Sequence, residues 1–342
     1  MPTIAAPPTA MPTLPEPRGP LSKAVLDVLA GRRRSSDLSG RHDQAAASDP
    51  IGDDLQLALY VCYELHYRSF MAVDDALEWD PDLLGFRAML ERPFLDALGA
   101  GVAGGDDVDG TLNRLLVEPA DGNGPSHHLA KHGQLWQLRE YVAHRSIYHL
   151  KEADPQAWVI PRLDGQAKAS MVTVEHDEYG AGRAERLHAT LFAEMMAELD
   201  LDPSYGHYLD LVPGVTLATV NAMSYFGLHR AMRGALIGQF ASVEITSSPG
   251  SARLARAVQR LVGDRKAATR FYTEHIEADA VHEQVVRGGI IADLLAREPE
   301  LAADVVFGIQ ADGLLEDRLA HHLLSAWDTG QTSLLQGLAS TA

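Results

Sequence analysis

In the segment FYTEHIEADAVHEQ, His275, Asp279 and His282 are separated by steps of four and three. On a helix advancing about 100° per residue, the three side chains fall within an arc of about 60°. Phe271 and Val286 lie near the same stripe, so this face also carries core residues. A carboxylate there is costly unless it is paired or bound to a metal. Imidazole and carboxylate without cysteine point to iron or manganese in an oxygen-handling bundle. The same spacing also describes a surface charge network, and Glu274, Glu277 and Glu283 put acids on the other faces. A metal reading therefore needs partner ligands from facing helices.

Two further stretches offer partners. In VEHDEYGAGRAERLHATLFAEMM, His188 precedes Leu191 and Phe192 by three and four residues, on an apolar stripe. A histidine there is either a satisfied core residue or a ligand. Glu178 lies ten residues earlier, about 80° away on an unbroken helix. Gly180 and Gly182 lie between them and permit a kink that re-aims Glu178. In QLWQLREYVAHRSIYHL, Glu140 shares a stripe with Trp136, Ala143 and Ile147. It is either a ligand or a surface partner of Arg139 or Lys151, and His144 is a rival ligand at i+4. Arg230 or Arg233 as a substrate clamp, and Glu244 as an acid behind the ligands, compete with plain surface exposure.

The elements that must position these groups read as helices throughout. Apolar residues recur at helical spacing from Asp53 onward, and Asp80-Pro81 marks a helix start. Further helices are predicted at Val108–Val117, Gln134–Lys151, Ala169–Leu199 and Tyr205–Arg233. The pattern continues at Leu236–Ile245, Gly250–Val262, Lys266–Arg297 and Glu300–Thr329, with TSSPGS and GD as breaks. Alternating strand patterns are absent, so the fold class is all-α. Residues 1–50 read as a disordered or extended Pro-rich tail with a short helix at Ser22–Leu29. Residues 51–125 read as accessory helices and 126–342 as the core.

Composition excludes several functions. The net charge of −18 disfavours nucleic acid and anionic membrane surfaces. Cys62 is the only cysteine, which rules out an intrachain disulfide and a thiolate metal site and fits the cytoplasm. No secretory leader and no apolar run of about 18 residues is present.

Taken together, the stretches resemble the heme-oxygenase-like diiron oxidases and oxygenases, also called iron-containing redox enzymes. The resemblance rests on Glu140, the run Asp177-Glu178-Tyr179-Gly180-x-Gly182 followed by His188, and the late His275-x3-Asp279-x2-His282. It covers about Gln134 to Gly330. It implies a bundle of about seven core helices with N-terminal accessory helices and no heme. It also implies two Fe(II) ions held by Glu140, Glu178, His188, His275, Asp279 and His282, with O2 as co-substrate. The implied reactions are N-oxygenation, desaturation or C–C cleavage of a small amine, amino-acid-like or fatty-acid substrate, in natural-product biosynthesis. The helices at 53–118 exceed a minimal core and are expected to cover it or to form a homodimer interface, and an external reductant is a further expected partner. The alternatives are a metal-free enzyme on the same fold and a non-catalytic iron-binding helical protein.

Overall fold

The computed structural model describes residues 11–118 and 122–338, with the side chains of residues 277–280 outside that description. No strand occurs among the described residues, as the helical spacing predicts. The longer helices are α1 (Pro20–Leu29), α2 (Asp53–Glu64), α3 (Pro81–Gly101), α4 (Leu135–His149) and α5 (Gly165–Glu178). They continue with α6 (His188–Glu198), α7 (Gly214–Leu228), α8 (Arg233–Val262), α9 (Lys266–Gln284) and α10 (Ala302–Asp328). One cluster of buried apolar residues runs from Leu21 to Leu334, and α8 packs along both α9 and α10 at its centre.

The segment expected to be a tail is folded from Pro20 onward. Leu21, Val25, Leu26 and Leu29 are buried, and α1 packs against α2. The Asp54 carboxylate on α2 accepts the backbone N–H groups of Leu21 and Ser22, which lie at the start of α1 and have no intrahelical partner. Residues 1–10 lie outside the described residues. At α3 the expected start is present: the Asp80 side chain accepts the Leu83 N–H at 2.9 Å, and Pro81 opens the helix.

Several helix boundaries differ from the sequence reading, and the helix expected over Tyr205–Arg233 spans only Gly214–Leu228. The helix expected over Ala169–Leu199 stops at Glu178 and restarts at His188. The helix expected to break at TSSPGS runs through Pro249 as part of α8. Pro249 removes only the N–H that would meet the Ile245 carbonyl, and packing against α9 and α10 holds the remaining turns. The helix expected over Lys266–Arg297 changes to π geometry at Val285–Ile291, directly after His282 and against α5.

Glycines let α8 and α10 approach closely. A Cβ at Gly238 would lie 2.0 Å from the Val305 carbonyl oxygen, and one at Gly308 would lie 1.9 Å from that of Ala235. Among the described residues, no helix is long and apolar enough to cross a membrane.

Candidate metal centre

The break between α5 and α6 places the first pair of polar groups. Gly180 has φ +68°, and a Cβ there would lie 2.6 Å from the Arg186 and Leu187 backbone. Only glycine lets the chain double back this tightly. The reversal sets Glu178, last in α5, beside His188, first in α6, with Glu178 Oε2 2.6 Å from His188 Nδ1. Despite that distance the pair lacks hydrogen-bond alignment, and the buried Nδ1 has no hydrogen-bond partner. Two donor atoms converging without facing each other match ligands aimed at a common point.

Two groups of buried ligand atoms result, each lying within 4.8 Å of one another. The first holds Glu152, Glu178, His188 and His275, and the second holds Glu178, Glu244 and His282. Glu178 belongs to both. Its Oε2 faces His188, and its Oε1 lies 3.6 Å from His282 Nδ1.

In the first group, His275 Nδ1 donates to the Phe271 carbonyl at 2.7 Å. In the neutral ring this leaves Nε2 as an acceptor, 3.5 Å from Glu152 Oε1, which is also an acceptor. The two face each other favourably only with a proton or a metal cation between them. His149 Nδ1 donates to the same Glu152 oxygen at 2.8 Å and fixes the carboxylate, while Glu152 Oε2 is buried with no hydrogen-bond partner. The His188 and His275 rings lie 4.3 Å apart, and Phe192 and Phe271 close over His149.

In the second group, His282 Nδ1 lies 3.0 Å from Glu244 Oε2, and Nε2 lies 3.4 Å from Asp177 Oδ2. Burial alone would lower the His282 pKa. The hydrogen bond and charge of Glu244, with Glu178 and Asp177, outweigh it and raise the pKa to about 9. His188 is also raised: burial opposes the shift, and Glu178 overcomes it. Glu152 moves the other way, with burial overcome by His149 and His275. Surplus anionic charge around buried imidazoles is the electrostatic character of a cation site, so the donor set fits iron.

One turn before Glu178, Glu175 is 2% exposed, and neither carboxyl oxygen has a hydrogen-bond partner. Burial, then Glu178, Glu244 and Asp154, push its pKa up to about 9, so it holds a proton at neutral pH.

Of the residues singled out from sequence, Glu178, His188, His275 and His282 are brought together. Asp279 lies on α9 with His275 and His282, but its side chain is outside the described residues. Glu140 belongs to neither group. Its Oε2 accepts from Trp327 Nε1 at 3.1 Å, the Ser333 N–H at 2.9 Å and Ser333 Oγ at 2.7 Å. It lies twelve residues before Glu152, about 18 Å along a helical rise. His144 is also elsewhere, between Thr216 and Ser333, and burial lowers its pKa to about 3. Arg230 is exposed and Arg233 pairs with Glu298, so neither arginine reaches the centre. Glu152 was missed; its signal is the His149-x2-Glu152 pair at the end of α4.

Residues 139–316, more than half of the chain, match the family model described as iron-containing redox enzyme. A nitrosourea synthase from Streptomyces achromogenes subsp. streptozoticus is 26% identical over 162 residues, 47% of this chain and 34% of that protein. The chain spans about a third of the length of that relative.

Proposed function

Because the chain belongs to the iron-containing redox enzyme family it is an oxidoreductase, and we propose that it is a non-heme diiron oxidase or oxygenase. One observation carries this reading: Glu178 presents one oxygen to each of two buried ligand groups. Glu152, His188 and His275 would hold one iron and Glu244 and His282 the other, with Glu178 between them. Asp279 is proposed as a further ligand from the sequence spacing on α9. When bound, the irons supply two electrons to O2 and the oxidising power that follows.

The chain's own residues do the positioning. The Phe271 carbonyl fixes the His275 tautomer, leaving Nε2 to face inward. His149 orients Glu152 by donating to Oε1. Phe192 and Phe271 limit water on that side. Glu175, protonated and buried, stores a proton one turn from Glu178.

The substrate class is a small amine, amino-acid-like or fatty-acid molecule, converted by N-oxygenation, desaturation or C–C cleavage in natural-product biosynthesis. The name of the relative, nitrosourea synthase, supports a nitrogen-bearing substrate among these. An external reductant would be needed to restore Fe(II) at the centre. For the test, metal-free protein is loaded anaerobically with Fe(II), desalted and assayed for iron, then followed by O2 electrode with each substrate class. About two irons per chain and substrate-dependent O2 uptake are expected. Fewer than one iron per chain overturns the reading. O2 uptake indifferent to every substrate moves the protein to iron storage.

A further inference from the structure

In the run Asp177-Glu178-Tyr179, Asp177 lies beside His282 and Glu178 serves both ligand groups. Tyr179 belongs to neither group. Its hydroxyl donates to Asp154 Oδ1 at 3.0 Å, across 25 positions of sequence. Asp154 lies two residues after Glu152, and Tyr179 directly follows Glu178. One hydrogen bond thus joins the neighbours of the two carboxylates that meet in the first ligand group.

Both carboxylates sit where regular helix does not hold them. Glu178 is the last residue of α5, and the chain turns away at Gly180 with φ +68°. No further helical turn fixes the rotation of Glu178 about the axis, and helix ends fray. Successive side chains on a helix are about 100° apart, so a bond at Tyr179 also sets the direction of Glu178. Glu152 lies past the end of α4, and the next residue, Ala153, is buried with φ +72°. A residue with a side chain adopts that conformation only where its surroundings over-determine it. Here three anchors do so. Lys151 pairs with Glu64 at 2.8 Å, His149 donates to Glu152 at 2.8 Å, and Tyr179 holds Asp154.

We propose that Tyr179 is a positioning residue of the metal centre, which acts through Asp154 to set the gap between Glu152 and Glu178. Without the bond the last turn of α5 is free to rotate and Ala153 is free to relax, so the two carboxylates no longer converge. The ion held by both of them loses most. The ion on the second group keeps Glu244 of α8 and His282 of α9, which the bond does not touch. Partners behind metal ligands typically change affinity by about 10–100-fold. The proposal rests on the two groups forming a two-metal centre, and it assigns the tyrosine of the Asp177–Tyr179 run a part in building it.

Metal-free protein is titrated with Co(II) and followed by its visible absorption. The wild type is expected to take up about two Co(II) per chain. Tyr179→Phe is expected to weaken one of them at least about tenfold, to alter the absorption of that site, and to leave the other within about threefold. Asp154→Ala is expected to match it, and the double variant to lose no more than either single change. Asp154→Asn, whose amide oxygen still accepts the hydroxyl, is expected to recover most of the affinity. Unchanged affinity in Tyr179→Phe, equal weakening of both ions as general destabilisation would give, additive losses in the double variant, or a loss in Asp154→Asn as large as in Asp154→Ala overturns the proposal. If Asp154→Ala does not fold, Tyr179→Phe, which keeps the ring, decides. A wild type that binds fewer than two Co(II) overturns the two-metal reading and this proposal with it, whereas two Co(II) with an indifferent Tyr179→Phe overturns this proposal alone.

Discussion

At the scale of single residues, Glu175 and Glu178 show how position on one helix divides the work of carboxylates. Glu178 ends α5 and faces two imidazoles, while Glu175 lies a turn earlier without hydrogen-bond partners. The folded protein holds the Glu175 proton up to about pH 9, whereas the unfolded chain releases it near 4.5. Between those values the unfolded state binds fewer protons, so stability falls as pH rises, by up to about 1.4 kcal/mol per pH unit. Thermal melts of metal-free protein are expected to show this decline from pH 5 to 9 and Glu175→Gln to make it shallower, the raised His188 and His282 supplying the rest; a parallel decline in the variant contradicts it. Glu178→Ala is expected to lower iron from about two per chain to below one, since both groups lose an oxygen. His188→Ala is expected to spare the second group, and metal analysis of the two variants tests the difference. The histidines were legible because helical spacing is local. Glu152 was not: only the packing of distant segments decides whether Glu140 or Glu152 faces the cluster, and Ser333, 193 positions away, captures Glu140.

At the scale of elements, the centre depends on where helices stop. The glycine pair between Glu178 and His188 was read as a kink within one continuous helix, whereas the chain breaks there, and Gly180 is where the reversal needs it. Gly180→Ala meets both a positive φ and a 2.6 Å approach to backbone. It is expected to cost at least about 1–3 kcal/mol of stability in urea melts and to reduce iron binding. Unchanged stability and loading would show that the loop relaxes elsewhere. The opposite misreading occurred at Pro249, where a local breaker signal lost to packing along the whole of α8. The π turn after His282 left no sequence signal separable from ordinary helix, because its apolar residues still meet α5.

At the scale of the whole molecule, the N-terminal helices are built into the core. Lys151, next to Glu152, pairs with Glu64 of α2 at 2.8 Å, with side chains 1% and 0% exposed. Tyr205 donates to the other Glu64 oxygen at 2.5 Å. Lys151→Ala would leave Glu64 charged and buried, and is expected to cost about 3–5 kcal/mol by chemical denaturation. Lys151→Ala with Glu64→Ala is expected to cost less than the sum of the two single changes. Composition and periodicity were enough for the all-α class, but could not show that residues 20–50 are packed, because polar and small residues there conceal the buried Leu21, Val25 and Leu38. The Glu140 clasp has a consequence in time. Its bonds to Trp327 and Ser333 close loops of 187 and 193 positions, longer than the 123 between Glu152 and His275 or the 104 between Glu178 and His282. Long loops close late, so the ligand groups can gather before the clasp shuts. Glu140→Ala is therefore expected to speed unfolding in stopped-flow denaturant jumps while leaving the refolding rate nearly unchanged.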